Sequence, residues 1–398
     1  MPDTAAIAAT SPSRPRVPLT PPLVGADLLG RAGMHAPSVL DAGPARLVTS
    51  GRIAIANALR EMGVGSGDVV LVPAYHSLSM IPPLLACGAV PVFYKVGPDG
   101  AVDLADIGAK LGPAVKLLMV TNYFGFPQQL EVLRAFCDQH ALLLLEDCAH
   151  CFFGTHAGRA VGAWGDYAIA SSMKFFPIYE GGLLVSARHA LAAPAPVGAG
   201  AGFEIKAGLN ALEHSFVYGR LAALHALLWL PLRLKGALWP RARTRLGATA
   251  LAPSSSNSSF AFDPEWLERR SAWFSRLVLR RAPHARMVAQ RRANYTRLQQ
   301  ALGALPGCRP MFARLPDGAC PWMFPLWVDH PEALFTRLLA EAVPVTRFAQ
   351  SLWPGVDASI CANSAALSRH VLAFPCHQAL SEAELAWLCT TIAKAVRA

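Results

Sequence analysis

Ser171-Ser172-Met173-Lys174-Phe175-Phe176-Pro177-Ile178-Tyr179-Glu180-Gly181-Gly182 decides how this chain is read, because it places two hydroxyls and an amine in an apolar stretch before a glycine pair. Upstream, Ala141-Leu142-Leu143-Leu144-Leu145-Glu146-Asp147 is a short apolar run that ends in acids, as a buried strand with a carboxylate at its C-terminal end would. An amine that can bond a carbonyl, an acid for a ring nitrogen and hydroxyl donors for a phosphate meet the needs of pyridoxal phosphate.

Around this stretch the chain alternates short apolar strands with helices. Ser50 is placed to cap a helix carrying Ile53, Ile55, Ala58, Leu59 and Met62, which Gly63-Val64-Gly65-Ser66-Gly67-Asp68 ends. A strand, Val69 to Pro73, follows the three glycines. A dinucleotide fingerprint has the opposite order, with the glycines between a strand and the helix it opens, so NAD binding is not expected. Further strands are predicted at Val90–Tyr94, Lys116–Val120, Ala141–Leu145, Tyr167–Ser171 and Gly182–Ser186, with helices around Met80–Cys87, Leu104–Leu111 and Leu130–His140. This alternation predicts a largely parallel sheet covered on both faces, with its ligand site beyond the strand C-termini.

The 398 residues suffice for two domains, and no apolar run reaches the length that spans a bilayer. A net charge of +10, largely from arginine, comes without the aromatic-interleaved basic motifs of nucleic-acid binding, so no nucleic-acid partner is expected. Nine irregularly spaced cysteines predict reduced thiols in a cytoplasmic protein, and Cys148-x-x-Cys151, with no second pair, predicts no metal. Residues 1–24, rich in Pro, Ser, Thr and Ala, read as a disordered arm. Residues 216–239 are an apolar insert followed by basic residues, suited to burial against the body or a partner subunit, or to peripheral membrane contact through 216–245. Ser254 to Ser259 reads as a linker leading to a second α/β region with a strand at Met323–Val328 and a last helix from Ser381.

Several short motifs recur in order: Ser50-Gly51-Arg52, Val72-Pro73-Ala74-Tyr75-His76, Tyr123-Phe124-Gly125-Phe126-Pro127, Glu146-Asp147-Cys148-Ala149-His150, the Lys174 segment, and Leu372-Ala373-Phe374-Pro375-Cys376-His377-Gln378. In this order and spacing the chain resembles the pyridoxal-phosphate-dependent nucleotide-sugar aminotransferases of the DegT/StrS family. The resemblance implies an α/β, aspartate-aminotransferase-like (PLP fold type I) architecture: a large cofactor domain at 45–255, a mostly parallel sheet, and a smaller C-terminal α/β domain at 256–398. It also implies a homodimer, with the insert and Phe152-Phe153 at the interface.

By the same resemblance, Lys174 bonds the cofactor and then acts as acid and base, and Asp147 pairs with the pyridine nitrogen. Ser50, Gly51 and Arg52 at a helix start, with Ser171 or Ser172, hold the phosphate; His150 lies by the ring hydroxyl and His76 over the ring face. Glu146 is structural, and Arg52 and Arg347 are candidates for anionic groups of either substrate. The implied reaction moves an amino group from an amino acid, L-glutamate foremost, to a nucleotide-linked keto sugar for polysaccharide, glycolipid or secondary-metabolite synthesis. Asn122, where the family often has histidine, and the insert leave the acceptor open. A non-sugar or lipid-linked carbonyl, a dehydratase of the same fold and a non-catalytic regulator or scaffold are the alternatives, and an intact Lys174 with Asp147 speaks against the last two.

Overall fold

A computed structural model describes residues 14–29, 35–228 and 262–397. Its strands are β1 (Ala45–Val48), β2 (Val69–Pro73), β3 (Val90–Tyr94), β4 (Val115–Thr121), β5 (Leu143–Asp147), β6 (Thr155–His156), β7 (Arg159–Ala160), β8 (Tyr167–Ser171), β9 (Gly182–Val185), β10 (Cys308–Pro310), β11 (Met323–Val328) and β12 (Val371–Pro375). The helices are α1 (Gly25–Leu29), α2 (Gly51–Glu61), α3 (Ile81–Ala86), α4 (Leu104–Ala109), α5 (Leu130–Gln139), α6 (Ala201–Val217), α7 (Trp273–Arg281), α8 (His284–Leu302), α9 (Pro331–Ala340), α10 (Ala362–His370) and α11 (Glu382–Arg397), with a further helical segment at 222–228.

Seven strands form the main sheet in the order β1-β9-β8-β5-β4-β2-β3. Its core from β8 to β3 is parallel, and β9 runs against both β8 and β1. Because side chains alternate across a strand, Leu71, Leu118, Val120 and Leu144 face one layer while Val70, Val72, Leu117, Met119 and Leu145 face the other. The first layer contains α5, part of α8 and the small three-stranded sheet β10-β11-β12; the second is built on α2 and α3. Both faces are therefore dry, as the continuous apolar strands required.

Strand β5 lies two residues further along than expected and includes Asp147, which pairs in register with Thr121 and Ile169. The acid thus stands at the C-terminal edge of the middle of the sheet. Helix α2 starts as predicted: Ser50 is extended (φ −161°) and its hydroxyl accepts from the Ile53 amide at 3.4 Å. Gly182 brings β9 against that start, since a Cβ there would lie 2.1 Å from the Ser50 carbonyl oxygen.

Other expectations change. Residues 14–24 are not a free arm: Val17 and Leu23 are buried, the Leu23 amide donates to Ser215, and His377 Nε2 donates to the Pro18 carbonyl at 3.0 Å. These apolar and hydrogen-bonding contacts hold the arm across both layers, while residues 1–13 lie outside the described residues. Phe152 and Phe153 are fully buried against Phe175 and Phe176 within one chain, so they are core and not interface. Within the apolar insert, 222–228 is a largely exposed helical segment with Leu227 at 75% exposure, and so is not buried against its own chain. Residues 229–239 of the insert, the linker and the expected domain boundary lie outside the described residues. Beyond them, Arg270 bridges to Val48 and α7 packs on α6, which puts 262–282 on the large sheet and begins the small layer at α8. Among the described residues no helix is long and apolar enough to cross a membrane.

Glu180 joins that returning segment to the centre. It is buried, accepts from Ser271 Oγ (2.8 Å) and the Ala272 amide (3.0 Å), and leaves Oε2 without a hydrogen bond among the described residues. Burial raises its pKa to about 7, with Ser275, Ser271 and the Ala272 amide opposing the shift. The folded carboxyl keeps its proton to about pH 7, whereas an unfolded one releases it near 4.5, so stability falls as pH rises through this window. Glu180→Gln should therefore gain about 2–3 kcal/mol over wild type at pH 8 and almost nothing below pH 4.5, as read from urea unfolding. Gly182→Ala should lose at least about 3 kcal/mol at either pH in the same assay, because the strand and the helix start must separate.

Candidate active site

A cavity of about 250 Å³ opens where β5 and β8 end and α2 begins. The α2 start contributes Ser50, Gly51 and Arg52; the turn after β5 contributes Asp147, Ala149 and His150; the turn after β8 contributes Ser171, Met173 and Lys174. Ile55, Ser77, Ser79, Met80, Ile169 and Phe348 complete the wall. Three connections of one sheet thus bring together residues more than a hundred positions apart. A larger hollow of about 600 Å³ lies between α8 and α11, far from these groups.

The floor of the cavity is a buried acid facing a buried amine. Asp147 accepts from the Ala149 amide (2.8 Å) and Thr121 Oγ1 (3.3 Å). Burial pushes its pKa up, and the Ala149 amide, Lys174 and Thr121 pull it back. Burial lowers Lys174 to about 8, with Asp147 opposing the shift. About a tenth of this amine is therefore neutral at pH 7, far more than of an ordinary lysine, as a nucleophile requires. Its Nζ lies 4.9 Å from the centre of the Trp322 ring.

At the other end of the cavity, the first turn of α2 presents backbone amides that no helical carbonyl takes up. With the Ser50 and Ser171 hydroxyls and the Arg52 side chain, they form a site for a small anion. A Cβ on Gly51 would touch the Ser171 Cβ at 3.7 Å, so glycine keeps this end open. Of the two predicted serines, Ser171 lines the cavity, whereas Ser172 is buried toward Gly181 and does not. Chain direction decides this, because successive residues leave the end of β8 on opposite sides.

His150 projects into the cavity, stacked on Trp322 with centroids 3.9 Å apart and edged by Phe348 at 4.6 Å. Its Nδ1 is buried with no hydrogen-bond partner among the described residues. Burial first, then Lys174, hold its pKa well below the usual range, so it is a neutral ring. His76 does not reach the site. Its Nδ1 donates to the Ala74 carbonyl (3.0 Å), its Nε2 accepts from the Trp353 amide (3.0 Å), and its face lies on Phe93. With both nitrogens committed and one face on Phe93, it fastens the layers together and does not line the cavity.

Arg347 is likewise engaged elsewhere, in a two-pronged pair with Glu332 at 2.8 and 3.1 Å and over the Phe335 ring. Glu146 is structural, accepting from Asn122 Nδ2 (3.0 Å) and the amides of Gly162 (2.8 Å) and Trp164 (3.3 Å). Asn122, which also accepts from the Gln128 amide, faces this network and not the cavity. Sequence reasoning missed Phe348 and Trp322. Both come from the small layer, and nothing in their local pattern separates them from core aromatics.

The DegT/DnrJ/EryC1/StrS aminotransferase family model matches residues 40–230. GDP-perosamine synthase of Vibrio cholerae is 32% identical over 145 residues, which is 36% of this chain and 40% of that one. UDP-N-acetyl-3-dehydro-alpha-D-glucosamine 3-aminotransferase of Acidithiobacillus ferrooxidans is 32% identical over 35% of this chain and 38% of its own length. The L-glutamine:2-deoxy-scyllo-inosose aminotransferase of Streptoalloteichus tenebrarius is 34% identical over 34% and 33%. The chain thus matches between a third and two fifths of the length of these curated relatives. Over the whole fold it superposes on a putative sugar aminotransferase of Streptococcus pneumoniae in its PMP form, with a TM-score of 0.66 at 15% identity, covering 96% of this chain and 99% of that one. The Helicobacter pylori aminotransferase PseC, involved in pseudoaminic acid biosynthesis, gives 0.65 at 14% identity with the same coverage. The architecture is the fold-type I aminotransferase fold, as expected. Residues 40–230, which carry every wall of the cavity except Phe348, are thus similar to the DegT/DnrJ/EryC1/StrS aminotransferase family.

Proposed function

We propose that this protein is a pyridoxal-phosphate-dependent aminotransferase that takes an amino group from an amino acid, L-glutamate foremost, and gives it to a keto sugar carried on a nucleotide. The observation that carries the reading is the buried Lys174 amine, held near pKa 8, in one cavity with a buried Asp147 and a helix N-terminus. These residues fit the cofactor part by part. The α2 start with Ser50, Gly51, Arg52 and Ser171 suits a phosphate, and the unpartnered Nδ1 of His150 suits a ring hydroxyl. Asp147, dry but supported by an amide and a hydroxyl, suits a protonated ring nitrogen.

When bound, pyridoxal phosphate supplies an electron-accepting ring that stabilises negative charge on the substrate carbon next to the transferred nitrogen. Asp147 would keep the ring nitrogen protonated, and burial strengthens that interaction by excluding water. Lys174 would remove the proton from the substrate carbon and return it two atoms away, across the transferred nitrogen, a role for which an amine with a pKa of about 8 is suited. Phe348 and Trp322 exclude water from the amine and hold the His150 ring in place. The relatives named for GDP- and UDP-linked sugars support the nucleotide-sugar acceptor, and the basic charge of the chain suits a diphosphate. The same reading makes the protein a cytoplasmic homodimer.

Loading the purified chain with pyridoxal phosphate should give a visible absorbance band that Lys174→Ala abolishes, and L-glutamate should bleach the band in wild type. Transamination by Lys174→Ala should fall by at least about 10²–10⁴-fold, and by Asp147→Asn comparably. A band that persists without Lys174, or no band in wild type, rejects the proposal. Screening the glutamate-bleached protein against nucleotide keto sugars should identify the acceptor by return of the band.

A further inference from the structure

Among the described residues Arg291 is the largest fully buried side chain, and no acid there answers its charge. From α8 its Nε donates to Gln378 Oε1 at 2.9 Å. One terminal nitrogen donates to the carbonyls of Pro321 (3.2 Å) and Trp322 (3.1 Å), and the other to those of Lys174 (3.4 Å) and Phe175 (3.0 Å). The guanidinium also lies 4.6 Å over the Phe175 ring. Every acceptor is neutral. A side chain needed only for volume would be apolar, since burying a cation among carbonyls is costly unless each donor is used. Here the donors divide between two segments, the turn that carries Lys174 and the strand approach that carries Trp322.

Those two segments are also the ones whose side chains meet in the cavity, Lys174 Nζ over the Trp322 ring and Trp322 against His150. Arg291 therefore holds the backbones of both partners of that contact from behind. Gln378 completes the arrangement. Its Nε2 donates to the Phe175 carbonyl at 2.9 Å while its Oε1 receives Arg291, so two side chains of the small layer share one carbonyl beside Lys174. A planar, permanently charged fork can serve two carbonyl pairs at once and does not exchange protons with a neighbouring amine; lysine can do neither.

We propose that Arg291 and Gln378 form a positioning clamp that registers the small layer on the Lys174 turn and so sets the amine against Trp322 and His150. The clamp acts through the backbone, and Arg291 and Gln378 are positioning residues. Its catalytic significance rests on the aminotransferase reading, but its existence does not.

The test is hydrogen–deuterium exchange by mass spectrometry on the full-length chain, with and without added pyridoxal phosphate, for Gln378→Leu, Arg291→Lys and Arg291→Met. Peptides covering 172–178 contain the amides of Phe175, Phe176 and Ile178, which are bonded only within the turn. In Gln378→Leu they should exchange about tenfold faster, while peptides from β4 and β5 keep wild-type rates. Arg291→Met should show a larger increase than Arg291→Lys, which retains part of the contact. In the loaded protein the pH at which the visible band changes should shift, and kcat should fall more than KM changes. Unchanged exchange at 172–178 in folded Gln378→Leu overturns the clamp, as does an increase spread evenly over the molecule. If Arg291→Met does not fold, Gln378→Leu and Arg291→Lys decide the matter alone. Absence of a Lys174-dependent band in wild type would reject the aminotransferase reading and leave the exchange result standing.

Discussion

Asp147 and Lys174 are both removed from water, and neither would hold a charge there alone. The acid is raised by burial and the amine is lowered by it, and each is the counterweight to the other. A parallel sheet is what makes such a pair affordable, because the carboxylate sits at a rigid strand end where a backbone amide and the Thr121 hydroxyl also reach it. The neighbouring Glu146, turned to the opposite side of the strand, spends its oxygens on Gly162, Trp164 and Asn122 and keeps the turn after β5 in shape. Two adjacent acids thus do different work because side chains alternate along a strand.

The small layer is part of the site as well as its cover. Phe348 closes the cavity, Trp322 backs the amine and the imidazole, and Arg291 with Gln378 grips the turn from which the amine projects. His76 and the 14–24 segment fasten the same layer from elsewhere, through Trp353 and His377. The packing of two layers and the placement of one nitrogen are consequently a single problem. In such an arrangement a change far from the cavity can move the amine without touching it.

Much of this was legible before any coordinates. The alternation of strands and helices, Ser50 as a cap, Asp147 at a strand end and the segment around Lys174 all have local causes, namely periodicity, capping chemistry and apolar runs. What misled was equally physical. His76 and Arg347 are polar residues assigned to the site, yet each meets a partner elsewhere, the Trp353 amide and Glu332. Phe152-Phe153, which the resemblance assigned to a subunit interface, is instead covered by two more phenylalanines from the Lys174 turn. Pro-rich residues 14–24 have no helical or strand pattern, and their order comes from contacts on other elements.

The sequence by itself determined the kind of sheet, the acid and amine at its centre and the helix start that faces an anion, because these follow from neighbours within a few positions. Tertiary structure alone decided which serine faces the cavity, which rings surround the amine, and that Arg291 holds the Lys174 turn. The serine depends on how the end of β8 meets α2, and the rings and Arg291 on the angle at which two layers meet, and no short stretch of chain encodes either. The burial that brings Lys174 to about 8 is of the same kind, since a lysine's local pattern says nothing about how much water the rest of the fold excludes.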